Sequence, residues 1–470
     1  MYIGLFLASV FLEARQEVVI PESAQTADET SIGQNLSITP SPTTQKKSSI
    51  EINDSDLVAD VALFSKVLDA MIERQAWDVV AHLVELYSTT EGRDEQLLLY
   101  ARSRLAHNMR QYPKAIEGYR QMLDVSPNLA PVRLYLVQAL YENKEYEAAS
   151  FQLEKLKATP NLPRQIVNIL DQFTLGIQKK NDFQWSLSIN YINDNNINET
   201  SNDKYIYFGK FKFERDKDNL PKSDQGIGYR LWGQKNFNFK DNHSLVASLN
   251  LNGKSYKEYS EYNDLLVRLS LGYQWQDAIK RYTLVPFVQK RFFGNSPYSK
   301  TWGLSLQNFY QWSRKFQTST TIEMAKNSYD KRKFLDGWYM FGSLGLSYAP
   351  VATTMFFGGF DIYTNHTEEM SESFDRLGVR LGVANDFRFG KISTKFSTYY
   401  AKKEYEDAPN LFGKQRKDSE YIQSLTLWKR DWHFKGVMPK LNLEHTKVKS
   451  NINIFAFDKS RVFFSFDKRF

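Results

Sequence analysis

Side chains that commonly carry enzymatic chemistry are present in this sequence, but their spacing forms no recognisable catalytic or metal-binding motif. The 470 residues contain six histidines and no cysteine, which excludes disulfides, thiolate metal sites and a cysteine nucleophile. No H-E-x-x-H pair, G-x-S-x-G elbow, P-loop or G-x-G-x-x-G sequence occurs. We therefore predict no enzymatic activity and no cofactor or metal. A net charge of +7 spread over so long a chain gives little reason to predict a nucleic-acid partner.

Three arginines are the charged side chains that could act on a passing substrate. Arg268, Arg376 and Arg380 lie in runs in which apolar and polar residues alternate. Alternation of period two places them on the face opposite the leucines and valines of the same runs. If that polar face lines a lumen, the arginines could guide acidic segments of a substrate. Solvation or ion pairing inside the lumen is the alternative explanation.

Runs with this alternation fill the chain from about residue 179 to the last residue. The clearest apolar rows are Leu265, Val267, Leu269, Leu271, Tyr273 and Trp275; Leu304, Leu306, Tyr310 and Trp312; and Leu377, Val379, Leu381 and Val383. Each run has about the 9–11 residues of a tilted membrane-spanning strand, and aromatics cluster at the ends of runs. Fourteen runs begin near residues 183, 225, 243, 262, 281, 298, 316, 337, 353, 374, 391, 419, 433 and 461. These patterns predict an antiparallel transmembrane β-barrel over 179–470, with a soluble sandwich or propeller as the alternative.

The connections between these runs alternate in length. Tight turns are predicted at 239–243, 276–281, 312–316, 349–353 and 387–391, and long polar loops at 254–262, 327–337, 364–374, 403–419 and 446–460. Outer-membrane barrels show this asymmetry, with short turns in the periplasm and long loops outside. The segment 205–213 looks like a further strand but breaks the even count. We predict that it forms a hairpin or an inward-folded plug in the first long loop.

Residues 56–178 have the pattern of stacked helical repeats. An alanine recurs at positions 81, 115 and 149, and a tyrosine recurs at positions 112 and 146, so both intervals are 34 residues. This period resembles the tetratricopeptide repeat, in which a small residue lets two antiparallel helices approach and proline ends the second helix. The repeat-defining residues are Ala81, Tyr112, Ala115, Tyr119, Pro127, Tyr146 and Ala149. We predict three repeats and one extra helix near 163–178, with a generic helical bundle as the alternative.

The first 55 residues differ from the rest of the chain. Residues 2–12 are apolar but fall short of the ~20 residues that a membrane helix needs. They favour a secretion signal over 1–19, with a disordered start as the alternative. Residues 20–55 are rich in Ser, Thr, Pro, Gln and Asn, and this composition predicts a flexible linker.

The order of these parts resembles the surface lipoprotein assembly modulators of Gram-negative bacteria, over about residues 56–470. The resemblance rests on repeats that carry Tyr112, Ala115 and Pro127, on an opening strand at 184–191 followed by 193–198, and on a closing strand at 461–470. That closing strand ends in Phe470, like the signal read by the barrel-assembly machinery. The resemblance implies a fold in which a periplasmic α-solenoid of tetratricopeptide repeats precedes a barrel of about fourteen strands.

The resemblance also implies a function in export across the outer membrane. Such proteins move particular lipoproteins, or related secreted haem-acquisition proteins, to the cell surface. The implied partners are a client surface lipoprotein or a secreted haem- or iron-binding protein, outer-membrane lipids, the barrel-assembly machinery and periplasmic chaperones, with the chain itself a monomer. One alternative is an exopolysaccharide export porin, which would show steady ion conductance and sugar-selective block. In another, the barrel only anchors the repeats as a docking module.

The predicted barrel is too narrow for a folded client. Fourteen strands enclose less space than the sixteen to eighteen of a porin, whereas a folded domain of ~100 residues has a radius of gyration of ~13 Å. A client must therefore pass unfolded, or use a transient opening between the first and last strands, whose edge could pair with an incoming strand. The candidate residues of this lateral seam are Phe183, Trp185, Leu187, Val462, Phe464, Phe466 and Phe470.

Overall fold

The computed structural model describes residues 53–159, 162–208, 211–409, 412–432, 434 and 437–469. Within these residues, packed helices are followed by a closed barrel of strands. The predicted signal at 1–19 and most of the predicted linker at 20–55 lie outside the described residues. None of the described helices is long and apolar enough to cross a membrane.

The helical part is a stack of antiparallel pairs. Its described helices are α1 (Asp54–Ala59), α2 (Val61–Glu73), α3 (Trp77–Tyr87), α4 (Glu95–Asn108), α5 (Tyr112–Val125), α6 (Ala130–Glu142), α7 (Tyr146–Lys157) and α8 (Arg164–Asn181). Helices α2 to α7 form three pairs, and α8 packs Leu170 against α6 and α7. The turn inside each pair contains one residue with left-handed backbone, at Gln75, Arg110 and Lys144. This conformation commonly ends a helix, and its recurrence marks the repeat.

The residues that recur in the sequence lie where paired helices approach each other. Ala115, Ala149, Tyr112 and Tyr119 are buried, Ala81 and Tyr146 are half-buried, and Pro127 is exposed just after α5. A Cβ atom at Gly118 of α5 would lie 2.0 Å from the Oγ of Ser103 on α4, so a side chain there would clash with α4. The predicted tetratricopeptide-like helices are confirmed.

The strand-forming part closes into a barrel. The described strands are β1 (Gln184–Asp194), β2 (Tyr205–Phe208), β3 (Phe211–Glu214), β4 (Asp224–Lys240), β5 (His243–Tyr256), β6 (Asp264–Gln276), β7 (Lys280–Phe293), β8 (Ser296–Gln311), β9 (Phe316–Tyr329), β10 (Gly337–Val351), β11 (Thr354–Thr367), β12 (Phe374–Asp386), β13 (Ile392–Tyr405), β14 (Lys417–Lys429), β15 (Met438–Ser450) and β16 (Phe457–Arg469). All except β2 and β3 belong to one closed antiparallel sheet, in which β1 pairs with both β4 and β16. The prediction of fourteen barrel strands is confirmed.

Alternation along each strand gives the barrel an apolar exterior. On β6, Leu269 and Leu271 are exposed on the outer face, whereas Gln274 is buried on the inner face. Period two assigns Arg268 to that inner row as well. A closed barrel with apolar side chains outside and polar side chains inside is the arrangement that spans a lipid bilayer.

The two ends of the barrel differ in the length of their connections. The short-turn end carries the connections 241–242, 277–279, 312–315, 352–353, 387–391 and 430–437, and the long-loop end carries 195–223, 257–263, 294–295, 330–336, 368–373, 406–416 and 451–456. The tight turn 294–295 is thus an exception at the long-loop end, and the longer connection 430–437 is an exception at the short-turn end. Strands β2 and β3 pair only with each other, as a hairpin inside 195–223. Ile206 of this hairpin packs against Ile452 and Ile454. The hairpin predicted for this segment is thus seen in its two described arms, 205–208 and 211–214.

Candidate functional site

The barrel closes along the seam between β1 and β16. Their ladder runs from Ser186 opposite Arg469 to Asp194 opposite Arg461. It has nine residue pairs among the described residues, whereas the other junctions have eleven to fourteen. The seam is therefore the shortest hydrogen-bonded junction in the described part of the barrel.

Most of the sequence-predicted seam residues lie on the outer face of these two strands. Val462, Phe464 and Phe466 are exposed on β16, while Trp185 and Leu187 are half-buried on β1. Two predicted residues do not belong to the described seam. Phe183 precedes β1, and its ring lies against Gly233 of β4. Phe470 lies outside the described residues.

A buried ionic cluster fastens the seam at its long-loop end. The Lys459 Nζ lies 3.0 Å from the Asp194 Oδ2 and 2.8 Å from the Glu199 Oε1. The side chain of Asp194 is 0% exposed and that of Lys459 only 4%. Tyr256 also donates a hydrogen bond to Asp194, over 3.2 Å. Because Lys459 lies on β16 and both acids lie on β1 or just after it, this pairing crosses the seam.

Two hydrogen bonds to the backbone strengthen the same fastening. The Asn196 side chain donates to the carbonyl of Asp458 over 3.1 Å, and the backbone N–H of Ser460 donates to the Asn195 side chain over 2.9 Å. The loop that follows β1 is therefore bound to the beginning of β16. We refer to Asp194, Glu199 and Lys459 below as the seam clasp.

The lumen contains a first ion-pair network midway along the barrel. Arg268 binds Glu323 with two hydrogen bonds, at 3.2 and 2.7 Å, and Tyr339 donates a third to Glu323 at 2.7 Å. The Arg268 guanidinium also lies 3.4 Å from the ring centre of Phe287. The Glu323 side chain is 0% exposed, so no water-filled channel reaches it. Arg268 is thus an ion-paired lumen residue.

A second network lies on the neighbouring wall. Arg376 donates to Tyr399 over 2.6 Å and lies 3.5 Å from Asp361 and 3.8 Å from Glu420. Tyr399 in turn donates to Asp361 over 2.8 Å. Arg380, four residues further along the same inner row, lines a small cavity. All three sequence-predicted arginines therefore lie on inner rows of the barrel. Arg268 is paired with Glu323, and Arg376 is paired with Asp361 and Glu420.

Aromatic side chains line one wall of the lumen near the long loops. Tyr339 stacks on Tyr363 at 5.3 Å, Tyr363 stacks on Phe374 at 5.7 Å, and Phe374 contacts Tyr405 at 5.4 Å. Tyr339 is the third residue of β10 and Phe374 is the first residue of β12, and both strands begin after a long loop, which locates the cluster at the long-loop end. Stacked rings from four neighbouring strands therefore cover this part of the inner wall.

The helices contact the short-turn end of the barrel. Asn242, in the turn between β4 and β5, donates to the carbonyl of Asn143 over 2.7 Å, and Arg110 donates to Gln311 at the end of β8. Ala278, in the turn between β6 and β7, packs against the apolar core of the repeats. Helix α8 ends at Asn181 and β1 begins at Gln184, so only two residues separate the repeats from the first barrel strand.

Two family models match this chain in the order of its structural parts. The surface lipoprotein assembly modifier model matches residues 183–470, which include the whole barrel. The model of the N-terminal tetratricopeptide repeats of the same proteins matches residues 50–153. The chain belongs to the surface lipoprotein assembly modifier family. The fold and the resemblance predicted from the sequence are confirmed, and the chain is an outer-membrane protein.

Relatives of this family cover most of the chain. Surface lipoprotein assembly modifier 2 of Haemophilus influenzae is 30% identical, over 90% of this chain and 87% of the relative. Surface lipoprotein assembly modifier 1 of Neisseria meningitidis is 28% identical, over 92% of this chain and 88% of the relative. The hemophilin secretion modulator of Acinetobacter baumannii is 23% identical, over 90% of this chain and 87% of the relative. The similarity to proteins of this family therefore extends through both the repeats and the barrel.

Sequence reasoning missed the seam clasp of this family member. The sequence places the last strand from about residue 461, which leaves Lys459 in a polar loop, whereas β16 begins at Phe457. The sequence signal that could have found the clasp is the period-two alternation along β1 and β16, which assigns both Asp194 and Lys459 to the inner rows. Lys459 lies two residues before Arg461 on the inner row, and Asp194 lies two residues after the buried Ile192.

A histidine–glutamate pair connects helices α4 and α6 of the repeats. His107 lies 3.1 Å from Glu142 and 3.3 Å from the hydroxyl of Tyr119. Burial by itself raises the pKa of the Glu142 carboxyl, but the hydrogen bond and charge of His107, together with hydrogen bonds from Gln138 and Tyr112, lower that pKa overall. A carboxyl with a lowered pKa stabilises the fold above its ordinary pKa of 4.5, and this stabilisation is lost as the pH falls through the lowered value.

Replacing Glu142 with glutamine is expected to destabilise the repeats at neutral pH by about 1 kcal/mol, because the carboxylate is one-third exposed and partly screened. The difference from the unmodified protein should shrink as the pH is lowered below 4.5. Thermal unfolding of the full chain, followed by helical circular dichroism from pH 3 to pH 7, measures this. Glu154→Gln, at an exposed pair with Lys157, is the matched control and should change little. If the difference in stability between Glu142→Gln and the unmodified protein did not depend on pH, the stabilising role of the Glu142 carboxylate would be contradicted.

Proposed function

We propose that this protein is an outer-membrane translocator that delivers a surface lipoprotein, or a related secreted haem- or iron-binding protein, to the cell surface. The observation that carries the proposal is the docking of the repeats on the short-turn end of a membrane barrel, in a chain of this family. Short turns of outer-membrane barrels face the periplasm. The repeats therefore lie in the periplasm, where they engage the client before it crosses.

The buried inner wall supports a route along the seam. Glu323, Asp361 and Phe341 are buried on the inner face of β9 to β11, so this part of the wall does not border an open water channel. This arrangement counts against a steady pore for exopolysaccharide. A client that is unfolded in the periplasm can instead pass where β1 and β16 separate, since their ladder is the shortest in the described barrel. The barrel-assembly machinery and periplasmic chaperones complete the proposed set of partners, and the translocator is a monomer without enzymatic activity.

The proposed guiding role of the lumen arginines is limited by the acidic partners that two of them already have. Arg268 and Arg376 already bind acidic side chains, so a client would have to exchange with Glu323 or Asp361. Arg380 is the arginine of this inner row nearest the short-turn end of β12, where a client enters in the proposed direction. Replacement of all three without loss of export would eliminate the guiding role.

The proposed function predicts that a client lipoprotein reaches the surface only when this protein is present. A tagged candidate lipoprotein, chosen first from a neighbouring gene, is expressed in cells with and without the full chain, and intact cells are treated with protease. We expect at least a tenfold increase in the cleaved fraction, while a lipoprotein held in the periplasm stays protected in both strains. Equal cleavage in both strains for every candidate would contradict the proposal. Joining residues 1–178 to an unrelated anchor should abolish delivery, and preserved delivery would indicate that the barrel is only an anchor.

A further inference from the structure

We propose that Arg104 of the repeats is the centre of a binding site for a carboxylate carried by an extended acidic segment of the client. This inference rests on the proposed function and specifies where the repeats bind the client and which chemistry they recognise. Its basis is an arginine that is held among aromatic rings and has no acidic partner in the described part of the chain.

Arg104 is framed by aromatic side chains from the repeats before and after its own. Its guanidinium lies 3.7 Å from the ring centre of Tyr135 on α6 and 5.5 Å from that of Trp77 at the beginning of α3. Tyr100, one helical turn before Arg104 on α4, contacts Tyr135 with ring centres 6.2 Å apart. Cation–π contacts hold a guanidinium in place but leave its charge unneutralised. Arg104 is therefore a positioned cation.

The charge of this guanidinium is uncompensated among the described residues. No ion pair in that part of the chain includes Arg104, and its Nε is buried without a hydrogen-bond partner there. The polar groups that interact with it are the hydroxyls of Tyr119 and Tyr100, which are neutral. A guanidinium carries several N–H donors in one plane, and a buried donor without an acceptor is costly. A carboxylate bound in that plane would supply both the acceptor and the opposite charge.

Two carboxylates of the repeats lie in the surroundings of this cation, and neither pairs with it. Glu142 is held by His107 at 3.1 Å and by Gln138 at 2.9 Å. Glu73, at the end of α2, interacts with Tyr100 but is exposed and belongs to no ion pair of the described residues. An acid from another polypeptide can therefore bind Arg104 without displacing a pair that the described repeats already make.

The site lies on the first helices of successive pairs, close to the barrel. Stacked helical repeats build an extended concave surface of this kind for binding. Arg104 and Tyr135 lie on α4 and α6, and both side chains are half-buried, so a ligand can reach them. Arg104 is one turn from the end of α4, and Arg110 just beyond that end donates to Gln311 of β8. A segment bound at Arg104 is thus held beside the short-turn end of the barrel.

The chemistry of the site selects an acidic segment in an extended conformation. Arginine binds a carboxylate through its planar fork, and the surrounding rings offer apolar contacts to the side chains beside the acid. A client segment that is unfolded in the periplasm can place a carboxylate and its neighbouring side chains on this surface together. An amide of the same shape offers the guanidinium no charge. The site therefore distinguishes aspartate and glutamate from asparagine and glutamine.

Two matched peptides test the site in the full chain, purified in detergent. The probe is a rhodamine-labelled Gly-Leu-Asp-Glu-Leu-Gly peptide with blocked ends, its counterpart carries Asn-Gln in place of Asp-Glu, and fluorescence anisotropy gives both dissociation constants. We expect the acidic peptide to bind the unmodified chain about tenfold more tightly or better, as charge-assisted hydrogen bonds allow. Arg104→Gln should abolish this preference. Arg102→Gln, at an exposed arginine two residues away on α4, should leave it within about twofold.

Equal affinity of the unmodified chain for the two peptides, or a preference that survives Arg104→Gln, would overturn the site. An arginine with a purely structural role would change the binding of both peptides alike, and helical circular dichroism shows whether the repeats stay folded. Arg104→Lys keeps the charge but not the planar fork, so this second variant should show an intermediate preference.

The peptide measurement involves no export, so its outcome is independent of the surface-proteolysis experiment that tests the proposed function. In cells, we expect Arg104→Gln to reduce surface delivery of the tagged lipoprotein at least fivefold, and Arg102→Gln to leave delivery within twofold. Loss of the peptide preference in Arg104→Gln together with undiminished delivery would overturn the client as the occupant of the site.

Discussion

Replacing Lys459 with alanine is expected to lower the free energy of unfolding of the barrel by about 3–5 kcal/mol. The change leaves Asp194, which is fully buried, without its cationic partner, and it also removes the partner of Glu199. The Tyr256 hydrogen bond remains but carries no charge to offset that of the carboxylate. Urea unfolding in detergent, followed by tryptophan fluorescence and by the compact mobility of the folded barrel on gels, measures the loss.

A matched control separates this effect from the general loss of a lysine. Lys417 lies 3.2 Å from Glu404 in a pair whose side chains are 52% and 55% exposed. Such surface pairs contribute at most about 1 kcal/mol. Lys417→Ala should therefore be nearly neutral, and equal losses from the two alanine variants would show that the clasp does not fasten the seam. Adding Asp194→Asn to Lys459→Ala should recover part of the stability, because the uncompensated buried charge is then removed.

Replacing Arg376 with leucine is expected to destabilise the barrel by a similar amount, about 3–5 kcal/mol. Asp361 would remain buried with only the hydroxyl of Tyr399 as a described partner, and Glu420 would lose its cation. Replacing Asp361 with leucine as well removes the stranded charge. Substituting apolar residues for a whole buried pair is often close to neutral, so the double variant should recover most of the lost stability in the same unfolding assay.

The double variant also decides what Arg376 does for export. If stability and surface delivery both recover, the arginine holds the lumen together and has no direct contact with the client. If stability recovers while delivery stays at least tenfold low, the arginine guides the client, as the sequence pattern suggested. A double variant that is no more stable than Arg376→Leu would contradict the assignment of Asp361 as the stranded charge.

The period of side-chain alternation made most of the barrel predictable. Strands β5, β9, β10 and β12 begin at the residues predicted from the sequence, because a polar turn or loop immediately precedes an alternating run. The error is larger at β15, which is predicted from 433 and begins at Met438. Phe434 and Val437 form a single bridge within the preceding turn, and their apolar side chains imitate the beginning of a strand.

The repeats were predictable for a different reason. A close approach of two helices tolerates only small side chains, so alanine recurs wherever paired helices meet, as at the buried Ala115 and Ala149. Local periodicity cannot identify partners across the lumen. Arg268 and Glu323 lie on β6 and β9, which are not neighbours in the sheet, so alternation indicates the face of each side chain but not what it meets. For the same reason, alternation could place Asp194 and Lys459 on the inner face but could not show that they pair.

The clasp can form only after the last strand has joined the first. Ser460 and Asn195 lie 265 positions apart, so contacts between their segments carry a large loop-closure cost and form late. Until then Asp194 and Lys459 remain hydrated on two unjoined edges, and they lose that water together when the cylinder shuts. A chain that lacks β16 also lacks Lys459, so it cannot form the clasp and leaves the Asp194 carboxylate without its cationic partner.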